Sequence, residues 1–174
     1  MIESGADLSQ TISGKVTALM LAAETGNTEV ARCLLEHGAK PNTQDSYGFT
    51  ALMYTTLITR GEFTDTALTL LEHGADASTQ SNGGETALMY AILNGHERLA
   101  KILIAHNADT TPIMKTNYWG LKGKTAGEIA EKAGRTKLAS TIHTEYIKST
   151  FRAAAEQGTT RPRKVRRARP SAVR

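Results

Sequence analysis

The tetrapeptide Thr-Ala-Leu-Met is written three times, at 17–20, 50–53 and 86–89, so its copies start 33 and then 36 residues apart. A second string keeps step with it. Leu-Leu-Glu-His-Gly-Ala occupies 34–39 and 70–75, and a degenerate copy, Leu-Ile-Ala-His-Asn-Ala, occupies 103–108. A period in this range marks a stack of small supersecondary units, none of which buries its apolar face alone. The fold class is therefore constrained before any single residue is weighed: an all-α solenoid of helix–turn–helix units, each touching only its neighbours.

Within one unit the residues punctuate two short helices. Thr17 is placed to cap the first, its hydroxyl accepting an orphan amide two or three residues on. Leu19, Ala22 and Ala23 give that helix a small-residue face, and Gly26 ends it. Asn27 is placed to cap the second helix, where Val30, Leu34 and Leu35 recur at three- and four-residue spacing. Gly38 stands just past its end, where a left-handed residue is wanted. Asn107 takes that place in the third unit, because asparagine tolerates positive φ.

Departures from the period locate insertions. Thr17 to Gly38 and Thr86 to Asn107 both span 21 residues, whereas Thr50 to Gly74 spans 24. The three extra residues are expected in the turn between helices, around Thr59, Arg60 and Gly61. A fourth unit opens at Thr125, 39 residues after Thr86, which puts six extra residues into the connection Thr110–Lys124. Thr125-Ala-Gly-Glu128 has the spacing of a capping box.

The pattern resembles the ankyrin repeat, carried here by Gly48-Phe49-Thr50-Ala51-Leu52, Gly74-Ala75-Asp76, Glu85-Thr86-Ala87-Leu88, Gly95-His96 and Ala108-Asp109, and it covers roughly residues 5–148. The resemblance implies a curved solenoid with hairpin-like fingers between units. Two departures recur. Ala18, Ala51, Ala87 and Ala126 stand where the family has proline, and Met20, Met53 and Met89 where it has histidine. The family's Thr–His hydrogen bond is thereby lost, and methionine packing is expected to replace it. Gly5-Ala6-Asp7 lies 33 residues before Gly38-Ala39-Lys40, so the chain is expected to open on a partial repeat, either as a makeshift cap or as a piece of a longer repeat protein. The expected division is a partial repeat over 1–14, an ankyrin-like domain of about four units over 15–158, and a disordered basic tail over 159–174. At the far end Lys137, Ser140, Thr141 and His143 should give the last helix the polar outer face that a terminal repeat needs. That helix is expected to run on through Ala153–Ala155.

The net charge of +4 hides this division. Arg161, Arg163, Lys164, Arg166, Arg167, Arg169 and Arg174 give residues 161–174 a charge of +7, while the rest carries 14 basic residues against all 17 acids, or −3. The tail lacks apolar periodicity and suits nuclear import, nucleic acid or an acidic membrane surface. Without interleaved aromatics, any nucleic-acid contact should be sequence-blind and salt-sensitive. No apolar run approaches a membrane span and no charged-then-apolar start resembles a signal peptide. The lone Cys33 has no disulfide partner and reads as a buried structural thiol, so the expected setting is intracellular, cytoplasmic or nuclear.

Catalytic and cofactor chemistry finds little support. Gly123-Lys124-Thr125 ends like a phosphate loop, but Tyr118 stands where the required glycine should be. His37, His73 and His106 fall one per unit rather than at metal-ligand spacing. Neither enzyme activity, metal, cofactor nor small-molecule substrate is expected. Aromatic placement is more informative. Tyr54 and Tyr90 follow the thread's methionine, at the position that ankyrin-like proteins expose on their concave face, with Leu21 and Ile129 equivalent in the outer units. Tyr47, Phe49, Tyr118 and Trp119 fall in the finger connections. The resemblance implies a non-catalytic module that binds a partner protein through Tyr47, Tyr54, Leu57, Tyr90, Leu93, Tyr118 and Trp119. Packing between units is the competing reading for Phe49, Tyr54 and Tyr90. The enlarged connection, with Pro112, Ile113 and Met114, reads either as an exposed binding loop or as a local cap. A nucleic-acid- or chromatin-associated adaptor, with Arg161, Arg163, Lys164, Arg166, Arg167 and Arg169 as its polyanion or import contact, is the alternative.

Overall fold

In the computed structural model, which describes residues 10–57, 61–116 and 120–156, Thr17 caps as its position predicts. Its Oγ1 accepts the Met20 amide at 3.3 Å and opens α1 (Ala18–Glu24). Asn27 does the same for α2 (Thr28–Glu36), accepting the Val30 amide at 3.1 Å. The pairing recurs as α3 (Ala51–Leu57) with α4 (Thr64–Glu72), α5 (Ala87–Asn94) with α6 (Glu97–Ala105), and α7 (Ala126–Lys132) with α8 (Thr136–Glu156). Thr86 and Thr125 cap α5 and α7, and at Thr125 the capping box is complete, Glu128 accepting the Thr125 amide at 3.0 Å. That bond, with the Lys124 ammonium 2.9 Å away, holds the Glu128 carboxyl below the usual glutamate range against the opposing pull of burial. Before α1 lies a minimal antiparallel hairpin, β1 (Thr11–Ile12) against β2 (Val16–Thr17), joined by a 3-10 turn over Ser13–Lys15.

The pairs stack in two layers. α1, α3, α5 and α7 pack in order as one row, and α2, α4, α6 and α8 as the other. Outer helices bury one stripe, Ala31, Leu34 and Leu35 on α2 and Leu99, Ala100, Leu103 and Ile104 on α6. α5, held between α3 and α7, is buried from Ala87 through Ile92. Among the side chains described on α8, only Leu138, Ala139 and Ile142 are buried, while Lys137, Ser140, Thr141 and His143 face water, so the far end has the expected polar outer side. α8 extends to Glu156, past the alanines at 153–155. Among the described residues no helix is long and apolar enough to cross a membrane.

The recurring side chains turn out to be fastenings. His37, His73 and His106 each donate Nδ1–H to the carbonyl four residues back, at 2.8, 2.8 and 2.9 Å, satisfying a late carbonyl of α2, α4 and α6. Met20 packs with no surface exposed, yet its Sδ also accepts the Thr17 amide at 3.4 Å, so the sulfur does more than the expected packing. The insertion of the second unit falls between α3 and α4, as the period required. Phe63, closing that turn, lies so close against Gly26 of the preceding unit that a side chain there would overlap its ring. Cys33 differs from expectation: it is half-buried rather than buried, on the outer flank of α2 with its Sγ 3.8 Å from His37 Nδ1.

Candidate partner-binding site

Between successive helix pairs the chain makes tight finger turns, and two consecutive turns share one backbone plan. In the first, the Asp45 amide donates to the Phe49 carbonyl at 3.0 Å and the Gly48 amide to the Asp45 carbonyl at 3.0 Å. In the next, Ser81 bonds to Glu85 at 2.8 Å and Gly84 to Ser81 at 2.9 Å in the same way. Finger tips are then laced together. The Ser46 amide donates to the Gly14 carbonyl at 2.8 Å, Asn82 to Tyr47 at 3.0 Å and Lys115 to Gly83 at 2.7 Å. Each rung ties one finger to the next, so the tips form a continuous edge along the stack.

Side chains at the turns build the site. Asp45, only 6% exposed, accepts the Tyr47 and Phe49 amides on Oδ1, both at 2.8 Å, and the Tyr54 hydroxyl on Oδ2 at 2.9 Å. Burial, then the bond to Asp45 and its negative charge, push the Tyr54 hydroxyl up to about 12. Phe49 is the hub of the aromatics. Its ring meets Tyr54 edge-on at 6.3 Å, Tyr90 edge-on at 5.7 Å and Tyr47 at 6.4 Å, tilted by 38°. Tyr47, Phe49 and Tyr90, with Ser81, Gly83, Glu85 and Thr116, surround a hollow of about 530 Å³. Glu85 lies in its wall, 4% exposed, accepting the hydroxyls of Ser81 and of Thr116, the latter at 2.7 Å.

The residues expected to bind a partner are thus brought together in part. Tyr47 is 69% exposed at the rim, Tyr54 is half-buried and tied to Asp45, and Tyr90 is only 8% exposed. Tyr90 is accordingly an inter-unit packing ring that also lines the hollow, rather than an open concave-face contact. The four equivalent thread positions close progressively along the stack, from Leu21 at 41% exposed through Tyr54 and Tyr90 to Ile129 at 1%. Leu57 and Leu93 are half-buried on α3 and α5, apart from the hollow, where Asn94 Nδ2 donates to the Thr56 carbonyl at 2.7 Å. The enlarged connection folds back: Pro112, Met114 and Leu121 are buried, Ile113 is exposed, and Met114 and Lys124 pair through a 3.1 Å backbone bond. Tyr118 and Trp119, and Arg161, Arg163, Lys164, Arg166, Arg167 and Arg169, lie outside the described residues. Thr116, the last described residue before Tyr118, is on the hollow.

Two residues of the hollow, Glu85 and Thr116, were missed as site residues from sequence. A signal for the first was present. Glu85 stands where the preceding unit has Phe49, so a carboxylate replaces a ring in identical register. Among the described residues there is no cluster of histidine, cysteine and carboxylate side chains suited to a metal ion.

The family described as ankyrin repeats (3 copies) matches residues 1–81 and 57–147. Comparison with curated proteins finds no match.

Proposed function

Because the chain belongs to the ankyrin-repeat family, whose repeats mediate protein–protein interaction and are typically non-catalytic, we propose that it is a binding module gripping a partner protein along its finger edge and concave helical face. The observation that carries this reading is the aromatic hollow, rimmed by the exposed Tyr47 and backed by Phe49 and Tyr90. Rigid amphipathic rings at a concavity are the side chains that dominate binding energies. A scaffold held by its own rungs loses little conformational entropy on binding. Leu57 and Leu93 on the helices, and Tyr118 and Trp119 beyond Thr116, would extend the contact.

The test changes the exposed Tyr47 and the half-buried Leu93, which packs against the core, so the fold is checked alongside. Affinity capture from the source cell is compared for the native chain and for Tyr47→Ala combined with Leu93→Ser, with helicity and thermal unfolding as controls. Loss of a specifically captured protein with helicity retained supports the reading; undiminished capture sinks it. A second reading rests on the segregation of charge, +7 in residues 161–174 against −3 elsewhere. It makes the chain an adaptor whose Arg161–Arg169 run holds polyanions or an import receptor. Salt-dependent binding to a nucleic-acid duplex, lost on deletion of 159–174, is its signature.

A further inference from the structure

The geometry points to the hollow between the Asp45–Phe49 and Ser81–Glu85 fingers as a receptor for an arginine side chain presented by the partner. This deepens the binding-module reading and rests on it. Three observations converge. The wall is aromatic, with Tyr47, Phe49 and Tyr90 around one space of ≈ 530 Å³. Ring faces attract cations, most strongly where water is thinned out. Glu85 sets a carboxylate, 4% exposed, in the same wall.

The carboxylate's partners leave it short of a counter-charge. Oε2 accepts the Ser81 hydroxyl and Oε1 the Thr116 hydroxyl. An ionised carboxylate offers about four lone-pair sites, so among the described residues each oxygen retains one. Among the described residues no lysine or arginine forms an ion pair with Glu85; the three pairs present are Lys124–Glu128, Arg135–Glu97 and Lys148–Glu145. Lys115, in the same connection as Thr116, donates its backbone amide to the Gly83 carbonyl at 2.7 Å. A buried carboxylate without a counter-ion is costly, and a ligand cation relieves that cost.

Arginine fits better than lysine. Two oxygens, each with one site free, match the planar fork of a guanidinium, which also stacks on aromatic faces. Gly83 gives the carboxylate room to sit in the wall. A Cβ there would overlap both Glu85 carboxylate oxygens and force the carboxylate from its place. Charge agrees as well, since the chain outside residues 161–174 carries −3.

The test titrates the isotope-labelled full chain with acetyl-Gly-Ala-Arg-Ala-Gly-amide and follows amide shifts by NMR. The control is the same peptide carrying citrulline, the uncharged isostere of arginine. Saturable shifts are expected at Gly83, Glu85 and Thr116, with the citrulline peptide about tenfold weaker. Glu85→Gln, which keeps the shape and removes the charge, should weaken the arginine peptide about tenfold. Tyr47→Ala, at an exposed rim position, should weaken it about threefold with unfolding unchanged. Equal binding of the citrulline peptide, or undiminished binding to Glu85→Gln, overturns the assignment. So does binding that emerges only when the basic residues of 161–174 are changed to glutamine, because the chain's own tail is then the occupant. If Glu85→Gln leaves capture of the cellular partner intact while Tyr47→Ala with Leu93→Ser abolishes it, the arginine receptor falls and the binding module stands.

Discussion

The finger turn Asp45–Phe49 and its successor Ser81–Glu85 have the same backbone bonds but place their carboxylate at opposite ends. In the first, the acid opens the turn and is spent on it, accepting two amides of its own loop and the Tyr54 hydroxyl. In the second, Ser81 opens the turn, accepting the Gly83 and Glu85 amides at 3.2 Å each, and the acid has moved to the closing position. There it faces the hollow and meets Thr116 of the next connection. One turn uses its charge to hold itself, the other holds itself with a hydroxyl and has its charge to spare. Repetition of backbone therefore does not mean repetition of role. A repeat protein obtains a site by shifting one functional group within an unchanged turn.

The sharpest way to break that comparison is to remove the two opening residues separately. Asp45→Ala leaves two turn amides and the Tyr54 hydroxyl without their acceptor in a nearly closed environment, and should cost about 3 kcal/mol in urea unfolding. Ser81→Ala should cost only about 1 kcal/mol, because a neutral hydroxyl makes weaker bonds than a carboxylate. Equal losses would mean that the carboxylate holds its turn no better than the hydroxyl does. Gly48→Ala comes next. Gly48 has φ +81, and a Cβ would stand 2.6 Å from the Asn82 backbone nitrogen, directly on the rung that joins the two fingers. Left-handed strain and the displaced rung together should cost about 2 kcal/mol, with faster amide exchange at Asn82 as the local readout.

How much of this was legible in the sequence depends on the range of the interaction. Caps were readable because they join residues three or four apart: Thr17, Asn27 and the Thr125–Glu128 box all stand as the spacing implies. Left-handed stops at Gly38 and Asn107 were readable for the same reason, with φ of +92 and +61. The period also placed the insertion between α3 and α4. What it could not give was the depth of a repeated position, since Leu21, Tyr54, Tyr90 and Ile129 share a register but differ in what the neighbouring unit lays over them. The sequence left Tyr90 open between partner contact and packing, because nothing local says that Phe49, 41 positions earlier, comes to within 5.7 Å of it. Glu85 was overlooked because its partner Thr116 lies in the enlarged connection, where the repeat offers no register.

A smaller effect tests the side of the comparison in which the acid is consumed. Tyr54→Phe removes one of the three donors to Asp45 while leaving the ring against Phe49, and should cost about 1 kcal/mol at neutral pH. The sign of its pH dependence follows from the raised hydroxyl. A group whose folded value, about 12, exceeds its ordinary 10.0 stabilises fully below the ordinary value and progressively less as pH rises through the folded one. The native chain should therefore lose stability between about pH 10 and 12 more steeply than Tyr54→Phe. Parallel curves would mean that the Tyr54–Asp45 bond contributes nothing in solution.

The least effect expected is also the only gain, and it extends the comparison to the first finger. Gly48, Gly84 and Gly123 all stand two residues before the threonine that precedes the first helix of their unit, with φ of +81, +83 and +76; in the first unit that place is held by Lys15, at φ +61. A side chain in this region costs about 1–2 kcal/mol from contact between Cβ and the backbone. Lys15 is exposed, and among the described residues it forms no ion pair that would recover it. Lys15→Gly removes the strain but gives the unfolded chain more freedom, which returns about 0.5–1 kcal/mol. The difference leaves a net stabilisation of about 0.5 kcal/mol, readable as a small rise in urea midpoint with unchanged slope. A fall in the midpoint would show that the first finger does not share the turn of its successors, and that the edge of laced tips starts at Asp45 instead of at Gly14.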